Sequence, residues 1–109
     1  MTKARGNPLR APLLIVVAAK IQVAHPKIPE IEQVLAAGAA VENLVLALHA
    51  EGFGCMWRTG APSYDPTVKA ALGLKPSDQI VGIVYVGTPT GEPPAVPRPD
   101  AGSFVRRWS

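Results

Sequence analysis

Strands alternating with helices predict a layered domain of the α/β or α+β class, built around one core. Three observations carry that expectation. Two continuous aliphatic, β-branched runs, Leu13 to Ala19 and Gln79 to Gly87, read as strands. Between them a proline-free stretch rich in Ala and Leu, Glu30 to about Glu51, reads as a long helix. The 109 residues are 48% hydrophobic and 17% charged, too apolar for a disordered tail and too short for two ordinary domains. Such a chain buries only about two-thirds of its unfolded surface, so its core is small.

In chain order, Met1 to Arg10 lacks the apolar centre of a signal peptide. Leu13-Leu-Ile-Val-Val-Ala-Ala19 follows Pro12 and reads as a strand buried on both faces. Lys20 to Pro29 contains two prolines and no periodicity, which predicts a loop. In the helix that follows, Glu30 and Glu32 occupy the first turn, where the dipole favours negative charge. Gly52 is placed to end the helix as its C′ residue. The expected core-facing stripe is Ile31, Val34/Leu35, Gly38, Val41, Val45 and Leu48. The other side, with Ala36, Ala37, Ala40 and Leu44, is apolar too, so the helix is expected to be buried on more than one side. The small residues Ala36 to Ala40 let another backbone approach, which predicts cover from a second subunit or from a segment outside this chain.

Gly54-Cys-Met-Trp-Arg58 predicts a short strand closed by Thr59-Gly60. Asp65 and Pro66 are suited to the N-cap and first position of a short helix ending near Leu72. After the strand Gln79 to Gly87, Thr88-Pro89 stops pairing, and the proline-punctuated Thr90 to Ser109 reads as extended. The expected organisation is one domain over 1–109, with a lead-in at 1–12, a core at 13–89 and a C-terminal arm at 90–109.

The net charge of +3 comes largely from the ends, from Lys3, Arg5 and Arg10 and from Arg98, Arg106 and Arg107. These cations neither share a helix face nor interleave with aromatics, so they predict solvated termini and no nucleic-acid partner. A single cysteine, Cys55, excludes an internal disulfide, and no Cys/His spacing suits zinc, so no metal site is expected. A reducing, cytoplasmic location is the corresponding expectation. The apolar run Ala11 to Ala19 is too short to cross a bilayer. Gln33 to Ala50 is long enough but carries Glu42 and His49, and no membrane span is expected.

Conventional catalytic apparatus is missing from the sequence. There is no nucleophile-elbow serine and no carboxylate pair placed for acid–base work. His49 and Cys55 read as a helix-end histidine beside a buried thiol rather than as base and nucleophile. Gly52-Phe53-Gly54 follows a helix, where a dinucleotide-binding loop must follow a strand. Trp57-Arg58-Thr59-Gly60 joins a flat ring, a fixed cation, a hydroxyl and a flexible glycine after a short strand. That set could edge a planar cofactor, or be an ordinary turn with a partly buried tryptophan.

Four segments in one order and spacing weight that choice. They are Arg10-Ala-Pro-Leu-Leu-Ile-Val-Val-Ala-Ala-Lys20, the Ala-rich helix ending Glu51-Gly-Phe-Gly54, Trp57-Arg-Thr-Gly60, and Ile80-Val-Gly-Ile-Val-Tyr-Val-Gly-Thr-Pro89. Leu72-Gly-Leu-Lys-Pro-Ser-Asp78 fits between the last two. The series resembles the C-terminal part of the nitroreductase family, in particular its small YdjA-type members, from about Lys3 to Pro89. The resemblance implies an α+β fold in three layers, with a central mostly antiparallel sheet and a long buried helix, here partial. It implies a homodimer with FMN at the subunit interface, and hydride transfer from NAD(P)H through the flavin to a nitroaromatic or quinone-like acceptor. The cofactor carries that chemistry, so no catalytic acid–base residue is expected.

By the same resemblance Trp57, Arg58, Thr59 and Gly60 match a flavin-binding segment, with the Thr59-Gly60 backbone near the reactive ring edge. Ala47, Leu48, His49, Ala50, Glu51 and Gly52 match a segment that binds the nicotinamide nucleotide. Arg98 matches an arginine that reaches the FMN phosphate in some relatives. The chain departs from the family at its start, where members carry an Arg-Arg-Ser-like phosphate-gripping motif and a later Arg-Ala-Pro segment. This predicts a family member without its N-terminal third or more, whose grip on flavin is weakened. The alternative reading is a non-catalytic module that homodimerises through the Ala36 to Ala40 helix face.

Overall fold

β-branched and aliphatic residues form the three strands of the fold, seen here in a computed structural model that describes residues 11–108. Lys3, Arg5 and Arg10 lie outside the described residues. Strand β1 (Leu13–Ala19), helix α1 (Glu30–Ala50), strand β2 (Gly54–Arg58), helix α2 (Pro66–Ala71) and strand β3 (Gln79–Gly87) follow one another. Single 3₁₀ turns form at Ala61–Tyr64 and Ala101–Phe104. The sheet order is β1-β3-β2, and both neighbours run antiparallel to β3. The α+β class is the one observed, with α1 laid across one face of the sheet.

Local chemistry explains where the helices stop and start. The Gly52 N–H donates to the His49 carbonyl and the Phe53 N–H to the Leu48 carbonyl, both at 3.0 Å. With Gly52 at φ 88°, this is a Schellman motif, a left-handed conformation that glycine adopts without cost. The Asp65 carboxylate accepts the Thr67 N–H at 2.8 Å and Pro66 takes the first helical position, the predicted N-cap arrangement.

The core is a short valine ladder. Val41 of α1 and Val84 and Val86 of β3 are buried, and Ile15, Val17, Leu44, Val45, Leu48, Cys55 and Val81 pack around them. Two expectations are corrected here, the burial of β1 and the edges of the α1 stripe. β1 is not buried on both faces: it is an edge strand, and Leu13 and Val16 stay exposed. Within this chain α1 is buried along one stripe only, centred on Val41. That stripe holds Val34, Gly38, Val45 and Leu48 as expected, takes in Leu44 and Ala37 from the side expected to face outward, and excludes Ile31 and Leu35, at 68% and 64% exposure. The shift follows from where β3 runs beneath the helix, because an all-round apolar helix carries no pattern that chooses a face.

By length and composition α1 could cross a membrane, with a mean hydropathy of 1.5 in its best window. Here one side of it lies on the sheet. Beyond Gly87 every described residue is exposed. The radius of gyration is 17.1 Å, against about 13 Å for a compact chain this long. The arm therefore stands away from the core.

Candidate functional site

Between α1 and the sheet the packing is uneven, and the gap becomes a groove of about 670 Å³. One wall is the first half of α1, through Glu30, Ile31, Val34, Leu35, Gly38 and Ala39. The other is the sheet, through Trp57, Gln79, Ile80 and Val81, and Ile21, Thr59 and Tyr64 close the ends. Gly38 places no side chain where a valine or leucine would fill the gap.

The loop from Ile21 to Ile28 is pinned to the groove by two side chains. The Gln33 amide accepts the Gln22 N–H at 2.8 Å and donates to the Gln22 and Ile28 carbonyls at 3.1 and 3.0 Å. Buried Asp78 accepts the Ile21 N–H at 3.0 Å and the Lys75 N–H at 2.9 Å. The Lys75 backbone bond holds the Asp78 carboxyl below the usual carboxylate range; burial opposes this, and the Ile21 bond and the charges of Lys20 and Lys75 reinforce it. Within the loop the His25 Nδ1 accepts the N–H groups of Lys27 and Ile28, both at 3.0 Å.

The predicted flavin segment is divided by the pleat of β2. Alternation sends consecutive side chains to opposite faces, so Trp57 faces α1 and the groove. Arg58 lies on the other face, its guanidinium 5.6 Å from the centre of the Tyr85 ring, a cation–π distance. Trp57 is 41% exposed, and its Nε1 donates to the Val81 carbonyl at 3.0 Å. Thr59 reaches the groove, whereas Gly60, at φ 104°, turns the chain into Ala61–Tyr64 behind it. In that turn the buried Ser63 hydroxyl has no hydrogen-bond partner.

The second predicted segment, Ala47 to Gly52, is not brought to the groove. At 1.5 Å per residue, Ala47 lies about 12 Å along the helix beyond Ala39. The carbonyls of Ala47, Leu48 and His49 are taken up in closing the helix. A helix C-terminus is also the negative end of the dipole, a poor seat for phosphate. Arg98 stands exposed in the arm. Val34, Gly38, Tyr64, Gln79 and Val81 complete the groove; Val34 and Gly38 belong to the stripe expected to face the core, and the sequence assigns none of the five to a site. They come from three separate segments, and only the glycine in an otherwise apolar helix hints at a gap.

The lining suits one part of FMN and not the other. A flat indole, aliphatic walls and a threonine match a planar ring system. A phosphate dianion calls for charge-assisted donors, and the single charged side chain in this lining is Glu30. The described groove does not fit the phosphate end.

Comparison with known proteins identifies the family and the fold. The model of the Nitroreductase family matches residues 1–88. The chain is 48% identical over 87 residues to the Escherichia coli protein named "Putative NAD(P)H nitroreductase YdjA", an alignment covering 80% of this chain and 47% of that one. A Haemophilus influenzae protein, also named as an NAD(P)H nitroreductase, is 36% identical over 88 residues, covering 81% and 48%. The chain thus spans about half the length of these relatives. A crystal structure of a nitroreductase-like family protein from Bacillus cereus superposes with a TM-score of 0.78 at 23% identity, covering 96% of this chain and 58% of that one. That likeness shows the fold.

Proposed function

Because the chain belongs to the nitroreductase family, we propose that it forms the ring-binding part of an FMN-dependent NAD(P)H oxidoreductase. The observation that carries this reading is the groove itself, into which Trp57 and Thr59 of the flavin-type segment both project. Bound FMN would supply hydride transfer between NAD(P)H and a nitroaromatic or quinone-like acceptor. Trp57, held at its Nε1 by the Val81 carbonyl, offers a flat wall and displaces water from it. Thr59 supplies a hydroxyl at the rim. The aliphatic side chains of Val34 and Ile80 keep the floor dry, which strengthens any hydrogen bond made there.

Cations for the phosphate are to be supplied from beyond this groove, either from residues 1–10 or from a second copy in a homodimer. Arg58, across the sheet from Trp57, is available to a partner on that open face. Ala47 to Gly52, matched to the nucleotide segment of relatives, would meet NAD(P)H only along the outer end of α1. The lone Cys55 supports a reducing, cytoplasmic setting.

Titration of the purified protein with FMN tests the proposal. Quenched flavin fluorescence and a perturbed visible absorbance band at micromolar flavin are expected. Free-flavin fluorescence throughout would sink it for this chain.

The outward side of α1 favours a second reading. Leu46 is 57% exposed, and Ala36 and Ala40 are exposed as well. A module that associates through this face without cofactor accounts for the same helix. Sedimentation of the flavin-free protein, read with the FMN titration, separates the readings: a well-folded dimer that takes up no FMN supports the module, and a folded monomer removes it.

A further inference from the structure

Gly82 interrupts a strand that is otherwise β-branched and aromatic from Ile80 to Val86. Glycine weakens a strand, and inside one it marks a close approach by another group. The group here is the Trp57 indole. Trp57 pairs with Val84, so Gly82 is its diagonal neighbour on the face toward α1. A Cβ at position 82 would come within 2.5 Å of Trp57 Nε1 and 2.9 Å of Cδ1. The ladders are irregular at the same point. β2 pairing ends with Arg58 opposite Ile83, and the β1 register jumps from Val17–Gly82 to Ala18–Ile80, so Val81 has no opposite residue on β1. The Val81 carbonyl accepts the indole N–H there.

We propose that Gly82 is a positioning residue for Trp57: its bare Cα lets the indole lie across β3 and reach Val81, and so sets the groove wall against which a planar ligand stacks. With any side chain at 82 the ring must leave. It has somewhere to go, because Trp57 is already 41% exposed. Displacement breaks the bond to Val81 and swings the ring outward, toward the solvent it already touches. The ligand half of this inference rests on the flavin reading; the indole half does not.

The experiment uses the full chain carrying Trp108→Phe, which removes an 87% exposed arm residue and leaves Trp57 as the sole tryptophan. Gly82→Ala is expected to shift indole emission to longer wavelength and increase iodide quenching, with far-UV CD unchanged. A folded G82A protein with unaltered emission and quenching overturns the proposal. If G82A does not fold, Trp57→Val/Gly82→Ala decides: a urea midpoint equal to that of Trp57→Val alone upholds the collision, and an equal loss with and without the ring overturns it. FMN titration is the second arm. Where the parent binds flavin, G82A should bind about twofold to tenfold more weakly, the contribution of one stacked aromatic pair. Unchanged affinity with a displaced indole overturns the wall role. Absence of flavin binding in the parent removes the flavin reading and leaves the indole result to decide on Gly82.

Discussion

The two halves of the α1–sheet contact are made by the same helix on the same strands, yet one is closed and the other open. At the closed end Val41, Val84 and Val86 meet with almost no exposure, and Leu44, Val45 and Leu48 fill around them. At the open end Gly38 faces Trp57 over a groove of about 670 Å³. The difference lies in fit: branched residues interdigitate at one end, while at the other Gly38 leaves open space between the helix and the sheet. Close packing stabilises and leaves no room for a ligand. A site needs the reverse, a rigid wall and an unfilled space. The closed half holds the elements in register, and the open half is free to serve chemistry.

The strongest way to break that division is to truncate one residue from each half. Val84→Ala removes two methyl groups from a fully buried position and should destabilise by about 2–3 kcal/mol, transfer and cavity contributions together. Trp57→Val removes a larger side chain, but one that is 41% exposed, and should cost about 1 kcal/mol, chiefly the bond to Val81. Urea unfolding of both variants checks the ranking. Equal losses would mean that the groove wall is part of the core.

Most of this fold was legible in the sequence, and the groove was not, for one physical reason. Local chemistry gave the strands, the long helix, the Asp65 cap and the Gly52 stop, because propensity and capping act within a few residues. Which face of α1 turns inward was legible at Val34, Gly38, Val41, Val45 and Leu48 and illegible at its margins: Leu35 and Leu44 are equally apolar, and only the position of β3 distinguishes them. The strand order that makes β1 an edge is likewise a matter of long-range pairing. The site was half legible. Trp57 and Thr59 stood out in their segment, but strand alternation separates Arg58 from them. Gln79, Tyr64 and Val81 join only through tertiary contact. Gly82 did carry a signal, a glycine inside a β-branched strand.

Asp78 belongs to the open half, since it ties the chain just before β3 to Ile21 at the end of the groove. Its folded pKa lies below the ordinary value, so its stabilising effect is fully present above the unfolded pKa of about 3.9 and is lost as pH falls through the folded value. Asp78→Asn sets an amide NH₂ against one of the two backbone N–H donors. At pH 7 it should lower the urea midpoint, by less than Val84→Ala does. The gap between variant and parent should close as pH drops below about 4. A gap that stayed constant down to acid pH would show that the carboxylate charge is not what holds the loop.

The smallest expected effect has the opposite sign. A Cβ on Gly38 would meet nothing within 4 Å, although Gly38 sits in the interior of α1. Gly38→Ala should therefore stabilise by about 0.5–1 kcal/mol, from the lower backbone entropy of alanine in a helix. Val41→Leu, one turn along at the closed end, adds a methylene to a full core and should destabilise by about 1–3 kcal/mol. Opposite signs from adjacent turns of one helix would confirm that open space begins between them. If Gly38→Ala instead lowers the unfolding midpoint, something occupies the groove in solution. The size of the loss should then rise with protein concentration if the occupant is a second copy of the chain, and stay constant if it is a segment of the same molecule.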